Sequence, residues 1–438
     1  IAVFAVLIVL FYGNTLFNGF VFDDIAQIEQ NPQAHSLKYL PQTIIGCHVQ
    51  SVAQGCKGQT IYYRPPLYLS MLLTWQIAPE PWPFHVVNLL YFWAIVFLIF
   101  YLAKILTKDF ILAFSSALLF LIHPINTEVV NWASAAVELT LTIFVLSAVI
   151  FYVKYRQSPS SKRLILVYAF YFLGLLAKEP AVFIPVSALL LDALFFKIPL
   201  RQLLRAEHLK RYLFFGVPFV LYLILRISVI GFSTGGGFAQ LTFPERIHAA
   251  ITLFATYIWK LLYPFPLSAF HAFEKSADFL SLTFLGSLLI ALAFFALLFF
   301  FLKKQKNLAI FSFLWFFLFL SPVLLFLGSI GEHVFAERYL FLPTIGFVFL
   351  AGSAISSFLK THALGFSRTP HRFVLLILAG FLILASWAAV YQRNKDWKDQ
   401  ETISLKTLSQ NPNAHNIRRE LAYEYLGQGH GEKAKAEP

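Results

Sequence analysis

Apolar runs of near membrane-crossing length recur along almost the whole chain, separated by short polar segments. A span needs about 20 apolar residues. After an opening run, Ile1–Tyr12, the candidates are His85–Leu106, Phe110–Ile122, Val137–Val153, Leu164–Ala177, Ala181–Phe196, Tyr212–Ile230, Phe279–Leu302, Leu308–Leu327, Tyr339–Leu359 and Phe373–Tyr391. Together they predict about eleven spans, several short and extended by flanking residues. Ile247–Tyr263 is different: Lys260 interrupts it, and Tyr257, Trp259 and Tyr263 give it an interfacial character. The first run is short and begins with Ile, as expected if the sequence is entered inside its first span. The expected fold is therefore all-α and polytopic.

Composition supports this pattern. Of 438 residues, 58% are hydrophobic and 13% charged, and 50 are Phe. A soluble domain needs far less apolar surface. The formal net charge of +12 would suggest nucleic acid in a soluble protein. Here the cations crowd into short loops, which is a topology signal, and a nucleic-acid partner is excluded. The loops are Lys154/Arg156/Lys162/Arg163, Lys197/Arg201/Arg205/Lys210/Arg211, Lys303/Lys304/Lys306 and Lys360/Arg368/Arg372. They share the cytoplasmic side only if Ile247–Tyr263 does not cross. The loops 13–83, 123–136 and 328–338, and the tail, then lie on the outer face of a plasma (inner) membrane. Arg393, Lys395 and Lys398 argue locally the other way for the tail. Cys47 and Cys56 share the first outer loop, 13–83, where a disulfide and two free thiols both stay open.

The chain divides into a membrane domain, 1–395, and a polar tail, 396–438. In the tail, Asn411-Pro412-Asn413-Ala414 separates two amphipathic stretches, and Leu421-Ala422-Tyr423-Glu424-Tyr425-Leu426-Gly427 opens the second. This looks like one tetratricopeptide unit, expected to belong to a longer array because such solenoids need about three repeats.

Polar motifs collect at the predicted outer span ends. Phe22-Asp23-Asp24 places two carboxylates just beyond the first span. One can act as general base on a hydroxyl while its neighbour orients the acceptor or holds a cation. A capping or solvated pair is the bland reading, but capping takes one Asp, and function is favoured. In an extended segment the two point to opposite sides, so one faces the substrate; Asp24 is the preferred base. Tyr62-Tyr63-Arg64-Pro65-Pro66 offers a phosphate-binding Arg or a snorkelling one. His123-Pro124-Ile125-Asn126-Thr127-Glu128 brings His123 and Glu128 near the surface, although His123 could simply cap. Lys178-Glu179-Pro180 and Phe335-Ala336-Glu337-Arg338-Tyr339-Leu340, with Glu332 and His333 before the latter, put cations and acids at two more entrances. Lys178 and Glu179 could also be a self-neutralising pair. Metal binding by Asp23 or Asp24 with Glu332 or His333 gains no support from spacing, and a divalent cation stays open. No Walker loop, dinucleotide fingerprint or nucleophile elbow occurs, and Gly235-Gly236-Gly237 reads as flexibility.

The ordered blocks Phe22-Asp23-Asp24, Tyr63-Arg64-Pro65, Phe84-His85-Val86-Val87-Asn88-Leu89-Leu90, His123–Val130, Leu176-Ala177-Lys178-Glu179 and Phe335–Pro343 resemble the transmembrane and tetratricopeptide-repeat O-mannosyltransferases and their bacterial relatives, GT-C glycosyltransferases. Ala133-Ser134-Ala135-Ala136-Val137-Glu138 departs from the Gly, Arg and acid that relatives often carry there, and the repeat array is nearly absent. The resemblance implies a GT-C helix bundle with an outward-facing site. The donor would be a sugar on a polyprenyl or dolichyl phosphate, and the acceptor a Ser or Thr hydroxyl of an exported protein. Asp23 or Asp24 would be the base of an inverting transfer, and Arg64, Lys178 and Arg338 would stabilise the departing phosphate. His123, Glu128, Glu179, Glu332, His333 and Tyr339 are further substrate-site candidates, and the tail is a candidate protein-binding element. A transporter or flippase predicts inverted repeats, which do not occur. A ligase of lipid-linked sugars predicts its main polar loop late in the chain.

Overall fold

The computed structural model describes residues 2–46, 62–203, 205–231, 241–271, 275–304, 306–327, 334–363 and 370–436. Cys47, Cys56, Gly235–Gly237, Glu332 and His333 lie outside the described residues. Among those described, every regular element is helical.

Among the described residues, six helices are long and apolar enough to cross a membrane: Pro81–Thr107, Ala133–Gln157, His208–Ile230, Leu282–Lys303, Asn307–Leu325 and Thr344–Thr361. A seventh candidate is broken. Phe110–Ile122 and Pro124–Asn131 are bent by 56° at His123-Pro124, where proline removes a backbone donor and favours an extended preceding residue. The remaining predicted spans also form helices: Ala2–Tyr12, Ser161–Ala177, Ile184–Leu194 and Pro370–Asp396. Helix Leu282–Lys303 buries little of its surface, and exposed Leu289, Leu292, Phe295 and Phe299 suit contact with lipid.

Close backbone approach holds the centre together. A Cβ on Gly346 would collide with the Ser312 carbonyl, and one on Gly352 with Ser116. These glycines let helix Thr344–Ala363 lie directly against its neighbours, as small residues do between membrane helices.

Helix direction sorts the charges. Helix Ala136–Gln157 has Glu138 in its first turn and Arg156 eighteen residues on, about 27 Å away at 1.5 Å per residue. Lys162 and Arg163 begin the antiparallel helix that ends beside Lys178. Lys360 pairs with Asp109, before the helix that leads back to His123. The Asn307 amide donates to the Leu194 carbonyl, placing Lys303 and Lys306 at that end also. The polar motifs therefore gather at one end of the bundle and the basic clusters at the other. Buried Asp192 is the hub of the basic end, with Arg211 at 2.7 Å, Arg156 at 2.8 Å, and the Tyr152 and Tyr212 hydroxyls at 2.7 and 2.6 Å.

Helix Phe243–Leu262 has both ends at the polar end. Near its start His248 stacks on Phe284, at the entry of the 282–303 helix, and its Leu261 carbonyl meets His123 at 3.0 Å.

The tail forms helices Gln400–Gln410, His415–Gly427 and Gly431–Ala436. It is docked on the bundle. The Asn411 amide donates to the Ser268 hydroxyl at 3.1 Å and the Phe270 carbonyl at 2.8 Å, and Lys398 O accepts from Gly19 N at 2.7 Å.

Candidate functional site

A cavity of about 670 Å³ opens at the polar end. Asp23, Arg64, Glu128, Lys178, Glu179, Arg338 and Tyr339, all singled out from sequence, line it together. Asp24 and His123 do not.

The acidic pair divides sharply. Asp23 is exposed toward the cavity, whereas Asp24 is fully buried. Asp24 accepts from Ser134 N at 2.7 Å, the Ser134 hydroxyl at 2.5 Å and Val21 N at 3.3 Å. Burial pushes its carboxyl up to about 7, against the pull of the Ser134 hydrogen bonds. The role this geometry gives Asp24 is to tie the first loop to the turn Ala133–Ala135.

His123 sits in the break of the bent helix. Its Nδ1 accepts from Ile125 N at 3.2 Å, capping the following turn, and its Nε2 faces the Leu261 carbonyl. The bland capping reading describes it.

Glu128 emerges one turn beyond the break and is almost fully buried. One oxygen accepts from Arg338 Nη1 at 2.7 Å and the other from Arg338 N at 3.0 Å. The Arg338 guanidinium lies 5.3 Å from the rings of both Trp132 and Tyr339. Such two-point fixation leaves further N–H donors for another anion.

Lys178 follows the last turn of helix Ser161–Ala177, in extended backbone before Glu179-Pro180. Its partner is Glu138 rather than its neighbour Glu179. Burial holds the Lys178 ammonium below its usual value, partly offset by Glu138. Arg64 precedes Pro65-Pro66 at the start of helix Pro65–Trp75, where prolines fit the first turn, and packs 4.1 Å from the Tyr62 ring.

Several lining residues escaped the sequence reading. Arg226 comes from an apolar helix, about one turn before its end at Ile230, and Trp132 and Ser134 from the turn after the bent span. Trp397, Asn416, Ile417, Arg419 and Glu420 come from the tail region. Phe319, Pro322, Val323, Leu342 and Pro343 form an apolar wall. Five cations thus share the lining with five carboxylates, so the cavity holds placed charges of both signs rather than a general trap for either. Among the described residues, no group of three or more His, Cys, Asp or Glu is placed to hold a metal ion.

A bundle of membrane-length helices with a polar, charge-rich cavity at one end and a docked helical tail is the class of protein these observations define. No protein-family model matches the chain. Over 154 residues, 34% of its length, the chain is 34% identical to protein O-mannosyl-transferase TMTC3 of Mus musculus, of which the stretch covers 16%. It is 31% identical over 150 residues to protein O-mannosyl-transferase F38B6.6 of Caenorhabditis elegans, covering 33% of this chain and 22% of that protein. Protein O-mannosyl-transferase TMTC2 of Homo sapiens is 31% identical over 149 residues, 33% of this chain and 17% of that protein. The chain is thus related to protein O-mannosyl-transferases over about a third of its length, and the matched stretch spans roughly a sixth to a fifth of these relatives.

Proposed function

We propose that this chain is a GT-C-type membrane glycosyltransferase that moves mannose from a dolichyl- or polyprenyl-phosphate to a Ser or Thr hydroxyl of an exported protein. One observation carries the reading: a single cavity presents the exposed Asp23 carboxylate together with Arg64, Lys178 and Arg338. The names of the relatives support the sugar and the protein acceptor.

Asp23 takes the proton of the acceptor hydroxyl as its oxygen attacks the anomeric carbon, inverting that centre. The bond from that carbon to the phosphate oxygen breaks, and the phosphate leaves with the electron pair. Arg64, Lys178 and Arg338 stabilise the anion where charge develops, a large catalytic term in a site of fixed dipoles. Glu128 and Glu138 hold two of these cations in place. The wall formed by Phe319, Pro322, Val323 and Leu342 takes the first units of the lipid. The predicted spans all cross, and the cavity faces outward from the plasma membrane.

The test is purified protein in nanodiscs with dolichyl-phosphate mannose and a Ser/Thr-rich peptide. A hexose mass on the peptide, found also on exported proteins of cells with the gene and lost without it, is expected. Intact peptide with donor consumed nowhere would reject the activity.

A further inference from the structure

The turn that carries the acidic pair is held from the opposite end of the chain. Phe22, next to Asp23, sits at φ 49°, a left-handed conformation that a bulky residue adopts only when its surroundings impose it. Its amide donates to Gln400 Oε1 at 2.7 Å, across 378 residues of sequence. Gln400 is 5% exposed, and its Nε2 donates to the fully buried Ser404 hydroxyl at 3.2 Å, so its carbonyl is aimed at Phe22. The Phe22 ring stands edge-on to Trp397 at 6.2 Å and to Trp132 at 6.2 Å. On the far side Asp24 is fastened to Ser134. Asp23 is the exposed residue between two fixed points.

We propose that Gln400 is a positioning residue for Asp23: by accepting the Phe22 N–H it holds the left-handed turn that presents the carboxylate to the cavity, which makes the first tail helix part of the catalytic centre. The proposal rests on Asp23 being the base. Docking of the tail does not itself depend on this bond, because Asn411 and Lys398 anchor it separately. Removing the Gln400 acceptor therefore frees the turn while the tail stays in place. A base displaced by about 1 Å loses on the order of 10²-fold in rate.

The test uses the full chain in nanodiscs with dolichyl-phosphate mannose and a Ser/Thr peptide. Gln400→Leu should lower kcat roughly 10²-fold with the KM for donor unchanged. Gln400→Glu, which keeps the acceptor oxygen, should restore most of the rate. Amide hydrogen exchange should rise at Phe22 and Asp23 in Gln400→Leu while helices Gln400–Gln410 and His415–Gly427 stay protected. Wild-type turnover in Gln400→Leu would overturn the proposal. So would a loss that comes with exposed tail helices and no rescue by Gln400→Glu, since that describes an undocked tail. A wild-type chain that transfers no mannose overturns the parent reading instead, and the exchange measurement then still decides whether Gln400 holds the turn.

Discussion

Asp23 and Asp24 are neighbours with opposite surroundings, one open to the cavity and one sealed behind Ser134. The pair itself was legible, because two carboxylates beside a membrane span are costly without a purpose. Their contrasting surroundings were not: they depend on Ser134, 110 residues away. The preference for Asp24 therefore gives way in the proposed mechanism to Asp23. Asp24→Asn should act on stability. Its folded carboxyl, at about 7, lies above the ordinary 3.8, so the folded form holds this proton longer than the unfolded chain. This group's favourable contribution is full below about pH 4 and falls as pH rises through 7. Thermal unfolding in detergent should show that slope in wild type and a flatter one in Asp24→Asn; equal slopes would refute it. At Arg338, one side chain reaches Glu128 while its plane covers Trp132. Arg338→Lys keeps the charge but loses the fork, and donor KM should rise about tenfold or more. An unchanged KM would remove phosphate binding from its role.

At the level of elements, a chain of asparagines, three of them buried, ties distant helices together. Asn18 donates to Asn131 at 3.1 Å, Asn131 to Asn394 at 2.7 Å, and Asn394 to Asn14 at 2.8 Å and the Phe11 carbonyl at 2.9 Å. It links the first helix, the bent helix and the last membrane helix before the tail. Asn394→Ala would remove the donor to Asn14 Oδ1 and the Phe11 carbonyl and one acceptor of the Asn131 amide, and a buried polar group that loses its partner costs about 1–3 kcal/mol. A marked drop in Tm with the remaining activity unchanged per folded molecule is expected; an unchanged Tm would argue against the network. Sequence periodicity located the helices because apolar runs of this length have few alternatives. It could not reveal this network, since isolated asparagines near helix ends read as caps. Arg226 was hidden in the same way, as a lone cation in Leu225-Arg226-Ile227.

For the whole molecule, segregation of charge is the organising fact. Cations cluster around Asp192 and Lys360 at one end, and the cavity with its balanced charges occupies the other. Loop charge alone anticipated that arrangement, because each antiparallel helix carries a basic loop to the same side. The tail's place in the cavity wall was not legible, as nothing local in Asn416 or Arg419 points to a site several hundred residues earlier. With the basic end cytoplasmic, a cysteine at Ser158 should be shielded from an impermeant thiol reagent outside intact cells, and one at Glu432 should be labelled. The reverse pattern would invert the orientation.

The most direct measurement compares Asp23→Asn, Asp24→Asn and wild type, at equal folded amounts in nanodiscs, for mannose transfer from dolichyl-phosphate mannose to a Ser/Thr peptide. A general base contributes about 10²–10⁴-fold. Asp23→Asn should lose turnover on that scale with little change in Tm, while Asp24→Asn loses mainly stability and keeps most of its rate per folded molecule. Wild-type turnover in Asp23→Asn, or a larger loss of turnover in Asp24→Asn, would contradict a base at Asp23.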